Sequence, residues 1–339
     1  MAVMNFADAI EKALSTAMAT DPRIVIFGED VHMLRRNLYV QFGPKRVRPT
    51  PISESAFLGA AVGAAMAGLR PVVEIMMIDF IGVAFDAILN QASKVETFSG
   101  GKWQVPMVVR ASCGGGYGDA GQHEQNLWGM LAGIPGLAVV VPSDPADAAG
   151  LMLSALTYPG PVVYLEHKLL SDYWLEYLGR GNRPTVQFDI PAAGARGEVP
   201  EPLTPIPLGQ ARVLLSGSDL TIATLGVSVH RVLVVASRLK SQGISVGVID
   251  LRTVSPLDRA TVISQVSTSQ RLLVVDEDYR DFGLSCELAA SMLEAGLNPR
   301  YARVATEGVI PYARHMEEQV LPNVERIEQA ALSLMGTHF

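Results

Sequence analysis

The chain has 339 residues, with 34 acidic side chains against 27 Lys and Arg for a net charge of −7, and 49% of its residues are hydrophobic. This balance leaves no basic footprint for nucleic acid or an anionic membrane. The longest uncharged apolar run, Ala56–Leu69, falls short of the ~20 residues a bilayer crossing needs. The length predicts two domains rather than one, and the high apolar content predicts a surface that meets another chain.

The opening stretch, MAVMNFADAIEKALSTAMATDP, lacks the basic-then-apolar order of a secretory leader and reads as an amphipathic helix. The two cysteines, Cys113 and Cys286, match no metal or redox spacing, so a cytoplasmic location is expected. Short aliphatic runs then alternate with helical patterns. Strands are predicted at 24–27, 71–77, 105–110, 137–141 and 161–165, with helices at 57–69, 81–98, 123–132 and 145–158. Near-continuous apolar strands separated by helices predict a parallel sheet covered on both faces. From Tyr173 to Gly217 the order breaks, with prolines at 184, 191, 200, 202, 205 and 207, as in a linker or crossing arm. Alternation resumes with strands at 220–225, 245–250, 271–275 and 302–305 and helices at 228–242, 258–266 and 283–294. The fold class is therefore α/β with two doubly wound domains, at residues 1–180 and 217–339, joined by a Pro/Gly-rich linker at 181–216.

Two places carry chemistry. Gly116, Gly118 and Gly121 have G-x-G-x-x-G spacing after a strand and before a predicted helix, and Asp144 follows 23 residues after Gly121. On spacing alone this imitates a dinucleotide-binding turn. The residues that follow, Gln122-His123-Glu124-Gln125, are too crowded and acidic for that fit, so the loop reads rather as a carrier that brings His123 into a shared site at a strand end. The second place is Glu54. It stands at the mouth of a helix of small residues, with no Lys or Arg until Arg70. A neighbouring serine, Ser53 or Ser55, can cap that helix. The acid is then left either to complement the helix dipole or to hold and share a proton with a bound heterocycle.

Ordered blocks now carry a resemblance. TPISES, GAAVGAAMAGLRPVVEIMMIDF, NQASK, VPMVVR, QHEQ, PGLAVVVPSDPADAAGL and VVYLEHKLL, then GVIDLRTVSPLD, LLVVDED and GVIPYARHMEEQVLPN, run from about Phe6 to about Ile327. Together they resemble the β subunit of the thiamine-diphosphate-dependent 2-oxo acid dehydrogenase E1 component, of the pyruvate, branched-chain or acetoin type. The resemblance implies a transketolase-like pyrimidine-binding domain followed by a transketolase C-terminal domain. It implies that Glu54 hydrogen-bonds N1′ of the cofactor's aminopyrimidine and promotes loss of the thiazolium C2 proton. Met76 and Phe80 match positions that line and stack on that ring. His123 matches a histidine near the thiazolium, associated with 2-oxo acid handling and acyl transfer. The chain has no G-D-G block for diphosphate and Mg²⁺, so those ligands are expected on an E1 α subunit in an α2β2 heterotetramer that passes its acyl group to a lipoyl-bearing E2. For some family members a structural K⁺ is held by backbone carbonyls, and the matching positions are Met107, Ala155, Leu156, Tyr158 and Gly160.

The chain departs from the family pattern in three blocks. The family's usual H-S-Q is His123-Glu124-Gln125, an acid before TPISE is replaced by Pro49, and the Glu29-Asp30-Val31 block continues without the usual glycine pair. If 123–132 is helical, Glu124 lies about 100° round the axis from His123. It is expected to point outward, because an unpaired carboxylate beside an anionic substrate is costly. Acetoin cleavage, a nicotinamide-dependent oxidoreductase using Gly116–Gly121, and a non-catalytic scaffold subunit are the competing readings.

Overall fold

The computed structural model describes residues 1–171 and 188–336. Fourteen strands form in chain order among these: β1 (Ala2–Asn5), β2 (Ile24–Glu29), β3 (Val47–Thr50), β4 (Arg70–Met77), β5 (Val108–Cys113), β6 (Ala138–Val140), β7 (Val162–His167), β8 (Arg196–Val199), β9 (Arg212–Leu215), β10 (Leu220–Thr224), β11 (Val246–Asp250), β12 (Thr253–Ser255), β13 (Arg271–Tyr279) and β14 (Arg300–Thr306). They make a seven-stranded sheet in the order β12-β6-β7-β5-β4-β2-β3, a five-stranded sheet in the order β14-β13-β10-β11-β9, and a two-stranded ribbon of β1 with β8. Six strands of the first sheet are parallel, and every residue of the central β5 and β7 is buried, as expected of a sheet covered on both faces. No described helix is long and apolar enough to cross a membrane.

The opening helix spans Phe6–Thr20. It buries Phe6, Ala9, Ile10, Ala13, Leu14 and Met18, the three-and-four spacing of one apolar face. The helix Pro145–Thr157 shares its core cluster and starts cleanly. Pro145 is at the first position, and the Asp144 carboxylate accepts from the Asp147 N–H.

Three predicted elements come out differently. The helix expected over 81–98 is a 3₁₀ turn at Ile78–Ala84, a π turn at Ala87–Ala92 and a short α-helix at Val95–Phe98. Side chains compete with its ladder: Ser93 Oγ (3.0 Å) and Lys94 Nζ (2.6 Å) both donate to the Leu89 carbonyl. The helix expected over 123–132 shrinks to Trp128–Ala132, because Leu127 takes a left-handed φ of 56° and the residues before it form a bonded turn. The predicted linker contains β8 and β9; its residues 181–187 lie outside the described ones. These short strands carry no period of their own and are specified by distant partners, Ala2↔Val199 in the ribbon and Val213↔Ile249 in the second sheet.

One strand crosses between the halves. β12 belongs by sequence to the second half but pairs antiparallel with β6 at the edge of the first sheet. The chain turns there through Arg252, at φ 61°. Its guanidinium donates to both Asp147 oxygens, at 3.0 and 2.7 Å, and its carbonyl accepts from the Val141 N–H at 2.8 Å.

Four of the five carbonyls matched to a potassium site already accept from donors of this chain. Arg70, at the start of β4, donates from Nη1 to the Leu156 carbonyl at 3.0 Å and to the Tyr158 carbonyl at 3.3 Å. The Met107 carbonyl accepts from the Val162 N–H, and the Ala155 carbonyl from the Tyr158 N–H. A bare cation among these oxygens would stand against a guanidinium that already supplies the positive charge. Arg70→Met should therefore destabilise the chain by about 2–3 kcal/mol, the scale of charged hydrogen bonds to carbonyls. Wild-type melting should be the same in KCl and NaCl at equal ionic strength. A selective rise in KCl would show that an ion does bind.

Candidate active site

The carboxyl ends of the first sheet gather the predicted residues. Glu54 opens the helix Glu54–Met66 and is half-buried, and Ser53 at the N-cap makes no side-chain cap. Among the described residues the Glu54 carboxylate has no hydrogen-bonding or ion-pair partner. The helix start is fixed instead by Ser55, whose hydroxyl donates to the Val83 carbonyl on the 3₁₀ turn that carries Phe80. At the end of β2 burial raises the Glu29 carboxyl, and neighbouring Asp30 and Glu54 add to that rise. The helix buries Phe57, Leu58, Ala61, Val62 and Ala65, whereas Ala56, Gly59, Ala60, Gly63 and Ala67 are exposed. The small residues therefore form an open face rather than an internal packing seam.

Met76 is aimed by a bulge. Ile75 pairs with Ala111 and Met77 with Ser112, so Met76 is the extra residue and is half-exposed in an otherwise buried strand end. It lines a small cavity with Glu29 and a buried charge chain. In that chain Arg35 donates to Glu74 at 2.8 and 2.9 Å, and Arg110 bridges Glu74 (3.2 Å) and Glu166 (2.6 Å). Burial alone would raise the Glu74 carboxyl, but Arg35 and Arg110 outweigh it and hold it below its ordinary range.

Phe80 and His123 come together, with ring centroids 5.8 Å apart and planes at 82°. Both are half-buried. His123 Nδ1 lies 3.1 Å from the Asp119 carbonyl. A carbonyl only accepts, so hydrogen-bond logic assigns the proton to Nδ1 and leaves Nε2 as the basic nitrogen of the neutral ring. The His123 carbonyl accepts from Lys168 Nζ at 2.5 Å, and that ammonium sits 5.1 Å from the Tyr117 ring centre. Beside them, Gln125 Nε2 donates to Asp79 at 2.8 Å and Gln125 Oε1 accepts from the Tyr279 hydroxyl at 3.0 Å. Burial raises Asp79 above its usual range.

The glycine loop is occupied by the protein itself. The consecutive N–H groups of Gly115, Gly116 and Tyr117 donate to Glu277 (3.0 Å), Glu317 (2.7 Å) and Glu124 (2.8 Å). Gly114 and Gly116 both have φ of 93°, and a Cβ on Gly114 would lie 2.0 Å from His167 Nε2. Amides aimed at carboxylates of this chain cannot cradle a pyrophosphate, and no helix opens after the loop until Trp128. The dinucleotide reading fails on that geometry.

The outward orientation expected for Glu124 is also corrected. His123 and Glu124 lie on a turn, and Glu124 is fully buried. Burial pushes its carboxyl up to about 9, with Glu317 adding to the shift. Glu277 goes the other way. Burial would raise it, but His167 at 2.7 Å and Arg231 at 2.6 Å hold it down to about 2. Burial also lowers Lys168, against the pull of Glu124 and Asp119.

The sequence offered Glu54, Met76, Phe80 and His123 as candidates but not the bonded residues around them, Asp79, Lys168, Glu277 and Glu317. For Lys168 a signal existed, since three ionisable residues, Glu166-His167-Lys168, end an otherwise apolar strand.

Residues 2–172 match the family described as transketolase, pyrimidine binding domain, and residues 209–327 match transketolase, C-terminal domain. The chain is 35% identical to the acetoin:2,6-dichlorophenolindophenol oxidoreductase subunit beta of Bacillus subtilis, over 98% of each chain. It is 37% identical to the 2-oxoisovalerate dehydrogenase subunit beta of the same organism, over 98% of this chain and 99% of that one. It is 35% identical to the pyruvate dehydrogenase E1 component subunit beta of Rickettsia felis, over 95% of each. Among solved structures, a split gene transketolase, described as an inactive beta4 tetramer, superposes with a TM-score of 0.79 over 98% of each chain at 20% identity, a likeness of fold. The fold is thus the two-domain transketolase-like α/β fold, and the chain belongs to the family of β subunits that includes the acetoin, 2-oxoisovalerate and pyruvate dehydrogenase proteins.

Proposed function

We propose that this chain is the aminopyrimidine-holding half of a thiamine-diphosphate-dependent E1 component, acting on a small 2-oxo acid and delivering the acyl group to a lipoyl-bearing E2. The observation that carries this reading is Glu54, a half-buried carboxylate with no partner among the described residues, close to the turn that brings Phe80 against His123. Thiamine diphosphate, when bound, supplies a carbon nucleophile that can take up the electron pair released on decarboxylation. Glu54 would hold a proton at N1′ of the aminopyrimidine, with Met76 and Phe80 fixing the plane of that ring. The basic Nε2 of His123 would accept or return a proton on the substrate side.

The absence of a G-D-G block supports an α subunit as the source of diphosphate and Mg²⁺ ligands. The open small-residue face beside Glu54, flanked by Ile52 (75% exposed) and Val83 (66% exposed), supports the same partner. Acetoin cleavage is the second reading, because the acetoin relative matches as fully as the oxo-acid relatives do. Parallel assays with pyruvate, 2-oxoisovalerate and acetoin separate the two.

Glu54→Gln keeps the size of the side chain but cannot pass the proton. Turnover of the αβ enzyme at saturating cofactor should drop by at least ~100-fold, the scale of acid–base catalysis, while gel filtration shows an intact assembly. Near-wild-type turnover would remove Glu54 from the mechanism. In calorimetry the isolated chain should bind thiamine diphosphate weakly or not at all. Addition of the α subunit should produce tight binding that depends on Mg²⁺. Tight binding by the isolated chain would contradict the half-site reading.

A further inference from the structure

Glu124 and Glu317 lie far apart in sequence and meet beneath the turn that carries His123. Both are fully buried. Glu124 Oε1 accepts the Tyr117 N–H at 2.8 Å, and Glu317 Oε1 accepts the neighbouring Gly116 N–H at 2.7 Å. Adjacent amides of one loop thus set the two carboxyls side by side, within hydrogen-bond reach of each other. Their second oxygens, Glu124 Oε2 and Glu317 Oε2, find no other hydrogen-bond donor. The nearest cation to Glu317 Oε2 is Arg314 Nη1, at 3.6 Å, and it is shared with Glu318 at 3.3 Å.

Two carboxylates in contact and out of water cannot both ionise. One proton between them supplies the donor that both second oxygens lack. Lys168 faces the pair. It donates to the His123 carbonyl, and its field opposes the rise that burial and Glu317 cause in Glu124, while burial weakens its own hold on a proton. Arg231 and His167 are committed to Glu277 on the next amide of the loop.

We propose that Glu124 and Glu317 share one proton, and that this acid pair is a positioning device that fastens the His123 turn to the glycine loop and to the helix Arg314–Val320. The inference rests on the reading of His123 given above for its catalytic consequence, but not for the pair itself. Burial and Glu317 hold the Glu124 carboxyl far above its ordinary value of 4.5, at about 9. With a raised folded value, the folded chain keeps a proton that the unfolded chain has already lost. Its contribution to stability is therefore fully present below about 4.5, is lost progressively as pH rises, and is gone above about 9. Past that point two adjacent anions repel, Glu124 leaves the Tyr117 amide, and the turn carrying His123 loosens.

The test uses the assembled αβ enzyme with E124Q, E124A and E317Q. Glutamine keeps an acceptor for the loop amide and carries a permanent N–H towards the partner carboxylate, whereas alanine does neither. Hydrogen exchange of the peptide containing residues 114–127, corrected for intrinsic pH dependence, should speed up ~10-fold in the wild type between about pH 7 and about pH 10. That acceleration should vanish in E124Q and in E317Q. At neutral pH, E124Q should retain at least ~10-fold more acyl-transfer activity than E124A. Identical pH profiles in wild type and E124Q would overturn the proposal, as would an E124Q as impaired as E124A in both exchange and transfer. If E124Q fails to assemble, E317Q makes the same comparison from the other side of the pair. Flattened exchange profiles with transfer unchanged in every variant would leave the acid pair standing and remove the catalytic role of His123.

Discussion

Two consecutive backbone amides tie this molecule's two halves together, and a third fastens the same loop to its own turn. The N–H groups of Gly115, Gly116 and Tyr117 each point at a different carboxylate, Glu277 from β13, Glu317 from the helix Arg314–Val320, and Glu124 from the turn beyond the loop. Such a run of amides is an anion-binding concavity by construction. Here the anions are covalent parts of the same chain, so the loop is preorganised rather than waiting for a ligand. The consequences spread outward. Glu277 recruits His167 and Arg231, Glu124 lies within the field of Lys168, and Lys168 fixes the carbonyl of His123. The imidazole reaches Phe80 because the backbone behind it is anchored by buried charges rather than by a helix.

Much of the fold was legible because a parallel sheet buried on both faces writes itself as apolar runs, and β2, β4, β7 and β13 are such runs. Where the reading failed, information was non-local. β3 and β12 are too short to have a period, and each exists because an edge was available to pair with. The stretch after the glycine loop looked like a helix start because its polar residues suit one. Asn126 and Gln125 instead bond across the molecule, to the Glu277 carbonyl and to Asp79 and Tyr279. A residue whose partners lie 46 to 154 positions away leaves no local mark.

The site divides the same way. Glu54, Met76, Phe80 and His123 sit in ordered blocks and are candidates drawn from them. The electrostatics around them were not legible there, since a one-dimensional reading of Glu124 saw only a charge. Fully buried beside Glu317, the same carboxyl is pushed up by burial and by that neighbour, so a pair sharing one proton carries one negative charge rather than two. The like-charge conflict with an anionic substrate that the sequence suggested is thereby reduced.

β12 has a consequence for how the chain is made. Its pairing with β6 closes the outer edge of the first sheet, yet it lies at residues 253–255, after three strands of the second sheet. During synthesis at about 5–20 residues per second, the β6 edge waits on the order of ten seconds for its partner. Through that interval an apolar three-residue edge, Ala138–Val140, stands open to pairing with another nascent chain. Vectorial folding of the first sheet therefore ends only when the second has begun.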